Sequence, residues 1–179
     1  MTCRMHDDAA DFRTAVSRFP TGVTVIATSD GTKLAGMTAN AIFSLSLNPP
    51  SIVVSLQNDA ETTRLIGLTR KAAVSFLSSD QRQVSEIFSR RNSQTEKFRT
   101  VPWTEGNNGQ PIIEGCISAL EIDVQSMIPA ADHQLVIANV TRIVNSSGLS
   151  PLIYYSSGYA TVEPDGRLVL PPVKRDHSS

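Results

Sequence analysis

The chain has 179 residues, 40% of them apolar and 18% charged, and a formal net charge of −1. That length holds one domain with a sizeable core, and the near-neutral charge excludes an electrostatic case for nucleic acid or an anionic membrane. Two cysteines, Cys3 and Cys116, and three dispersed histidines, His6, His133 and His177, exclude a disulfide scaffold and a histidine-rich metal site.

The first element in chain order is a helix. Phe12, Ala15, Val16 and Phe19 form one apolar stripe, with Asp7 or Asp8 as cap and Pro20 as terminator. Two β-rich runs, 22–28 and 33–40, follow, and the Ser-Asp-Gly between them reads as a hairpin turn in which Gly31 takes positive φ. Residues 42–47 continue in extended form up to Asn48-Pro49-Pro50, and 51–56 form a short apolar strand. A helix is expected over 62–69, a strand over 71–77, and a second amphipathic helix over 81–90, with Val84, Ile87 and Phe88 on one face. Residues 89–109 read as polar and irregular. Two long strands, 117–125 and 133–144, come next. The first alternates Leu120, Ile122 and Val124 with a wet Glu121, Asp123 and Gln125; the second, apolar on both parities, reads as deeply buried.

Helices do not alternate regularly with strands, so the fold class is mainly β, antiparallel, with flanking helices. One domain over 1–160 is expected, and a tail over 161–179, carrying Pro164, Pro171 and Pro172, reads as partly disordered. The opening residues are polar and acidic where a secretory leader would be apolar, and no apolar run reaches a membrane span of roughly 20 residues. A cytoplasmic protein is expected.

Several chemistries are excluded by motif. No G-x-G-x-x-G occurs, so the usual dinucleotide fingerprint is missing. Gly31 to Gly36 has the glycine spacing of a phosphate loop, but Met37 and Thr38 stand where the mechanism needs Lys and Ser/Thr. No serine-hydrolase elbow and no H-E-x-x-H is present. What stands out is a small, polar stretch, Gly36-Met37-Thr38-Ala39-Asn40, followed by Ser44-Leu45-Ser46-Leu47-Asn48-Pro49-Pro50. A polar edge strand explains it cheaply. The sharper reading is a wall on which short side chains let the main chain approach a flat heteroaromatic ring.

These two segments, preceded by Phe19-Pro20-Thr21-Gly22-Val23-Thr24-Val25, resemble the flavin reductase-like family, the reductases of two-component flavin monooxygenases. Ala131-Asp132-His133-Gln134-Leu135-Val136-Ile137 is similar to its Gly-Asp-His-x-Ile-Val strand, and Pro151-Leu152-Ile153-Tyr154-Tyr155-Ser156-Ser157-Gly158-Tyr159 to its closing segment. The resemblance runs over about 12–160. It implies a split β-barrel of the FMN-binding type, a likeness to homodimers with the cofactor near the subunit interface, and reduction of FMN or FAD by NADH or NADPH. Reduced flavin would pass to a separate flavin-dependent monooxygenase.

By the same resemblance Met37, Thr38, Ala39 and Asn40 lie beside the isoalloxazine ring, and Ser44, Leu45 and Ser46 along the ring and ribityl chain. Gln57, Asn58, Ala60 and Thr62 belong to the phosphate-proximal loop, and Phe88 and Tyr159 complete the flavin contacts. Asp59, Ala60 and Glu61 depart from the basic and hydroxyl residues frequent there, and an acidic neighbour repels phosphate. Thr62 and the helix amides remain to hold it, and Arg90, Arg91 or Lys97 are available to supply positive charge, although by residue type each reads more readily as a solvated surface cation. His133, by residue type alone a satisfied structural histidine, becomes by resemblance the residue that places the nicotinamide. Tyr154, Tyr155 and Tyr159 are available to pack over the site or within the core. Ser156 and Ser157 replace basic residues of the closing segment, which favours NADH over NADPH. The alternative is a flavin- or heme-binding split barrel without turnover.

Overall fold

The structure is a computed structural model whose described residues are 9–163 and 165–169. The expected caps Asp7 and Asp8, together with Cys3, His6, His177 and the tail from 170 onward, lie outside them. A helix α1 (Ala9–Ser17) leads into a short strand β1 (Thr21–Gly22), and then β2 (Thr24–Ser29) and β3 (Leu34–Ala39) form the predicted hairpin. Its turn is fixed locally. The Asp30 carboxylate accepts the Thr32 and Lys33 amides at 2.8 Å, and Gly31 sits at φ 87°. Those hydrogen bonds, the Thr32 hydroxyl first, hold the Asp30 carboxyl below the usual carboxylate range.

The chain continues through β4 (Ile42–Leu47), β5 (Pro50–Gln57), α2 (Glu61–Thr69), β6 (Lys71–Phe76), a single helical turn (Ser79–Gln81) and α3 (Arg82–Ser89). Then come α4 (Gln94–Thr100), β7 (Trp103–Glu105), β8 (Pro111–Ile113), β9 (Ser118–Ala130) and β10 (His133–Asn145). The strands β11 (Leu152–Tyr155), β12 (Gly158–Val162) and β13 (Leu168–Val169) complete the described chain. Where a disordered tail was expected after 160, β12 runs on to Val162 and pairs with β13.

Seven strands pair antiparallel in the order β3-β2-β6-β9-β10-β5-β4. The two edge strands, β3 and β4, are consecutive in the chain and joined only by Asn40 and Ala41. Such a link reaches roughly 10 Å, so the sheet must curl until its edges meet, which makes a barrel. A second sheet, β1-β11-β12-β13, stands beside it.

Strand β2 shows how the pattern builds two cores. Ile26 faces the barrel interior with Ile52, Val54, Leu56, Val74, Ile122 and Val136, and α2 adds Ile66. Val25 and Ala27, on the opposite parity, face Phe88, Phe98, Val101, Ile113 and Leu152. The helices α3 and α4 are pinned over that outer face by Phe88 and Phe98, edge to face at 5.2 Å.

Three local expectations are corrected. Residues 89–109 are not irregular: they contain α4 and β7. Phe98 is the only large apolar side chain of α4, so no periodicity marked it. Glu121 is not on a wet face but 2% exposed, its carboxylate accepting the Asn107 amide at 2.9 Å and the Asn108 amide at 2.8 Å. A buried carboxylate fed by two amides organises the 106–110 loop and is stabilised by it. Strand β10 is deeply buried only at Val136 and Ala138; its end, 141–145, is exposed beyond the barrel. Among the described residues nothing packs over the apolar stripe of the first helix, Phe12 and Phe19 being 72% and 73% exposed. Among the described residues no helix is long and apolar enough to cross a membrane.

Candidate functional site

A cavity of about 660 Å³ opens where the end of β3, the start of α2, the end of α3 and α4 converge. Its strand wall is Gly36, Met37, Thr38 and Ala39, continued by Asn40 and Ala41. At Gly36 the wall has no room for a side chain. A Cβ there would meet Phe88 Cε1 at 2.7 Å and Phe98 Cζ at 3.0 Å. The wall is also fixed from outside the strand. The Gly36 amide donates to Gln94 Oε1 at 2.9 Å, and the Thr38 hydroxyl donates to the Ser85 carbonyl at 2.6 Å. Ser85 Oγ in turn bonds Tyr159 Oη at 2.9 Å, and Tyr159 packs edge-on against Tyr154 at 5.6 Å with Arg82 over its ring.

At one end of the cavity lie Ala60, Glu61 and Thr62, where α2 begins. Ala60 supplies no side-chain cap to that helix, so its first amides face outward as a partial positive pole. The hydroxyls of Thr62 and Thr63 are buried and have no hydrogen-bond partner in the chain. Lys97 lies against the same space, 4% exposed, its ammonium donating to the Phe88 carbonyl at 3.4 Å and lying 5.9 Å from the centre of the Phe88 ring. Burial pushes its pKa down, with the nearby Glu61 carboxylate opposing the shift. A desolvated cation, an orphan hydroxyl and an uncapped helix start together fit a phosphate. Of the three candidate cations, Lys97 is thus not the solvated surface residue its type suggests, because α4 packs it inward beside Phe98. Asp59, the acidic departure in this loop, is 60% exposed in its side chain and paired with Arg91 at 3.0 Å, so its repulsion is screened.

Next to this loop His133 opens β10, in register with Gln57 of β5 and half-buried, with Nδ1 2.7 Å from the Asp132 carboxylate. That hydrogen bond holds the Asp132 carboxyl below the usual range and leaves Nε2 as the ring nitrogen free to meet a ligand. The turn ahead of it carries Ala131 at φ 54°, a left-handed conformation that suits the glycine of the resembled motif better. Asn58 stitches this turn to the phosphate-side loop: its amide donates to the Asp132 carbonyl at 3.0 Å and its Nδ2 to the Ala131 carbonyl at 3.1 Å.

The cavity thus brings together Met37, Thr38, Ala39, Asn40, Gln57, Ala60, Thr62, Phe88, His133 and Tyr159. Asn58 stands behind the lining as a brace. Ser44, Leu45 and Ser46 are not part of the lining; β4 carries them along the outer edge of β5, with Leu45 49% exposed. Sequence reasoning missed Gln94 and Ser85, whose bonds set the wall. Both are ordinary polar residues on helices, and nothing in their neighbours marks them.

Comparison with known proteins agrees with this geometry. A family model described as flavin reductase like domain matches residues 16–163. A probable flavin reductase of Rhizobium meliloti (strain 1021) is 36% identical over 170 residues; the match takes in 94% of this chain but spans only about half, 53%, of that relative. The reductase subunit HsaB of a flavin-dependent monooxygenase from Rhodococcus jostii (strain RHA1) is 27% identical, over 92% of this chain and 83% of its own. Among solved structures, the Streptomyces globisporus C-1027 NADH:FAD oxidoreductase SgcE6, in complex with NAD and FAD fragments, superposes with a TM-score of 0.86 at 27% identity, covering 92% of this chain and 100% of that one. The split barrel, its small-residue wall and a family match over most of the length lead to one assignment: this chain belongs to the flavin reductase-like domain family.

Proposed function

We propose that the protein is an NADH-dependent flavin reductase whose cavity holds FMN or FAD and that supplies reduced flavin to a separate monooxygenase. The observation that carries this is a single cavity with a close-approach wall, a phosphate-fitting end and a lining histidine with one free ring nitrogen. The wall's main chain reads the ring edge, and the buried Lys97 and Thr62 hold the phosphate. Asp132 fixes the rotation of the His133 ring, so that Nε2 orients the carboxamide of the nicotinamide rather than exchanging a proton with it. Hydride acceptance is chemistry that the flavin supplies when bound. The Ser156-Ser157 turn offers no cation for an extra phosphate, which favours NADH. The cytoplasm is the proposed location.

Loss of absorbance at the nicotinamide band on mixing protein, NADH and either flavin is the expected result. His133→Ala should raise the KM for NADH by about tenfold, the worth of one good hydrogen bond, with flavin Kd unchanged. Equal loss of flavin affinity would instead make His133 part of the flavin seat. A storage barrel, the other reading, predicts no flavin-dependent NADH oxidation at all, and family membership among reductases speaks against it.

The same reading includes a homodimer. Supporting it are Phe12, Phe19, Phe43 and Leu47, 59% to 87% exposed on α1, the residues after it and edge strand β4. Apolar surface and an open strand edge on this scale call for cover, and in a dimer Ser44, Leu45 and Ser46 come to lie near the interface. Light scattering should return twice the chain's 19.4 kDa; a value of one chain mass would refute the dimer.

A further inference from the structure

Two segments that border the main cavity are tied to each other by one ion pair. Asp59, in the loop ahead of α2, and Arg91, in the link between α3 and α4, both line the cavity. Arg91 Nη2 donates to Asp59 Oδ2 at 3.0 Å, and both side chains are exposed. Asp59 stands one residue before Ala60, the uncapped start of α2, so its grip holds the guanidinium beside the end that fits a phosphate.

The two partners are not equally fixed. The Asp59 carbonyl accepts Arg64 Nη2 at 2.6 Å, and the neighbouring Asn58 is bonded to the turn at 131–132. In the link, residues 90–93, Arg91 alone carries a side-chain hydrogen bond among the described residues. When the pair opens, Arg91 is therefore the partner that swings. It opens easily, because an exposed pair made through one guanidinium nitrogen contributes little. A phosphate monoester carries about −1.5 to −2 charges at neutral pH and offers two oxygens to the guanidinium fork, so it outcompetes a single carboxylate contact. Asp59, held in the same rim, recaptures Arg91 at high effective concentration once the phosphate leaves.

Resting on the reading of this cavity as the flavin seat, we propose that Asp59 and Arg91 form an exchange latch. Arg91 passes from the Asp59 carboxylate to the flavin phosphate on binding and back again on release. Asp59 thereby shortens the stay of a flavin that has to leave for a separate oxygenase.

Release rates of FMN and of riboflavin, read on the full chain as recovery of flavin fluorescence after dilution, test this. Asp59→Asn should slow FMN release about threefold to fivefold, the reach of one exposed ion pair, and leave riboflavin release unchanged. Arg91→Gln should speed FMN release. Adding Asp59→Asn to it should then shift the rate by less than about twofold, because Asp59 acts only through Arg91. Faster FMN release from Asp59→Asn would show that Asp59 presents Arg91 to the phosphate, and would overturn the latch. A slowing that persists in the Arg91→Gln background would make Asp59 a plain repulsive charge. A change in riboflavin release would make the pair a steric strap, and either result overturns the proposal as well. FMN that binds but leaves Asp59→Asn at the parent rate sinks the latch alone. If neither FMN nor riboflavin binds, the reading of the cavity falls and takes the latch with it.

Discussion

Replacing Lys97 with methionine should raise the stability of the ligand-free protein while weakening FMN and FAD by about thirtyfold or more. The ammonium is buried, with one long hydrogen bond as its return for lost hydration. A methionine of similar length fills the same space without that cost. The flavin phosphate would lose its only buried cation in the cavity, a change on the scale of a broken desolvated charge pair. Riboflavin lacks the phosphate and should bind parent and variant alike. A parallel loss of riboflavin affinity would show that the lysine shapes the pocket rather than holding an anion. The pH dependence has a definite sign. Because the folded-state pKa lies below the ordinary 10.5, the unfolded chain binds more protons between the two values, and stability rises with pH through that window. Urea midpoints should therefore climb at alkaline pH in the parent and not in Lys97→Met.

Gly36→Ala should be the most damaging change of a single methyl group on the cavity wall. The added Cβ would lie 2.7 Å from the Phe88 ring and 3.0 Å from the Phe98 ring. Phe88 is 1% exposed and Phe98 is 7% exposed, so neither ring yields outward toward solvent. Overpacking of this kind costs about 1–3 kcal/mol. One escape remains, rotation of Phe88 toward the cavity it lines, and that route would block the flavin seat. The expected result is a lower urea midpoint together with loss of flavin quenching. An unchanged midpoint with full flavin affinity would mean that α3 and α4 float outward at no cost, contrary to the packing described above.

Much of this was legible in the residues. The β2–β3 turn could be read from Asp30 and Gly31 because it is closed by local hydrogen bonds alone. The narrow wall from Gly36 to Asn40 was visible as a run of small residues, since the constraint that selects them acts position by position. Lys97 and Glu121 were not legible. Whether a charged side chain faces water or the interior depends on what another segment places over it. For Lys97 that is the crossing of α3 and α4, and for Glu121 the amides of Asn107 and Asn108. The stripe on α1 was correctly seen as apolar, yet among the described residues nothing buries it. Periodicity tells which face is greasy and not what meets it.

The stitch at Asn58 sets a limit on how this enzyme can be tuned. Gln57 is in register with His133 across β5 and β10, and Gln134 Nε2 donates to Asn58 Oδ1 at 2.9 Å. The loop that starts α2 and the turn that carries His133 are thus tied together, and the distance between them is set by strand pairing. Under the proposed reading, adaptation to other flavins falls to the α3 and α4 side of the cavity, where side chains can change without altering that distance.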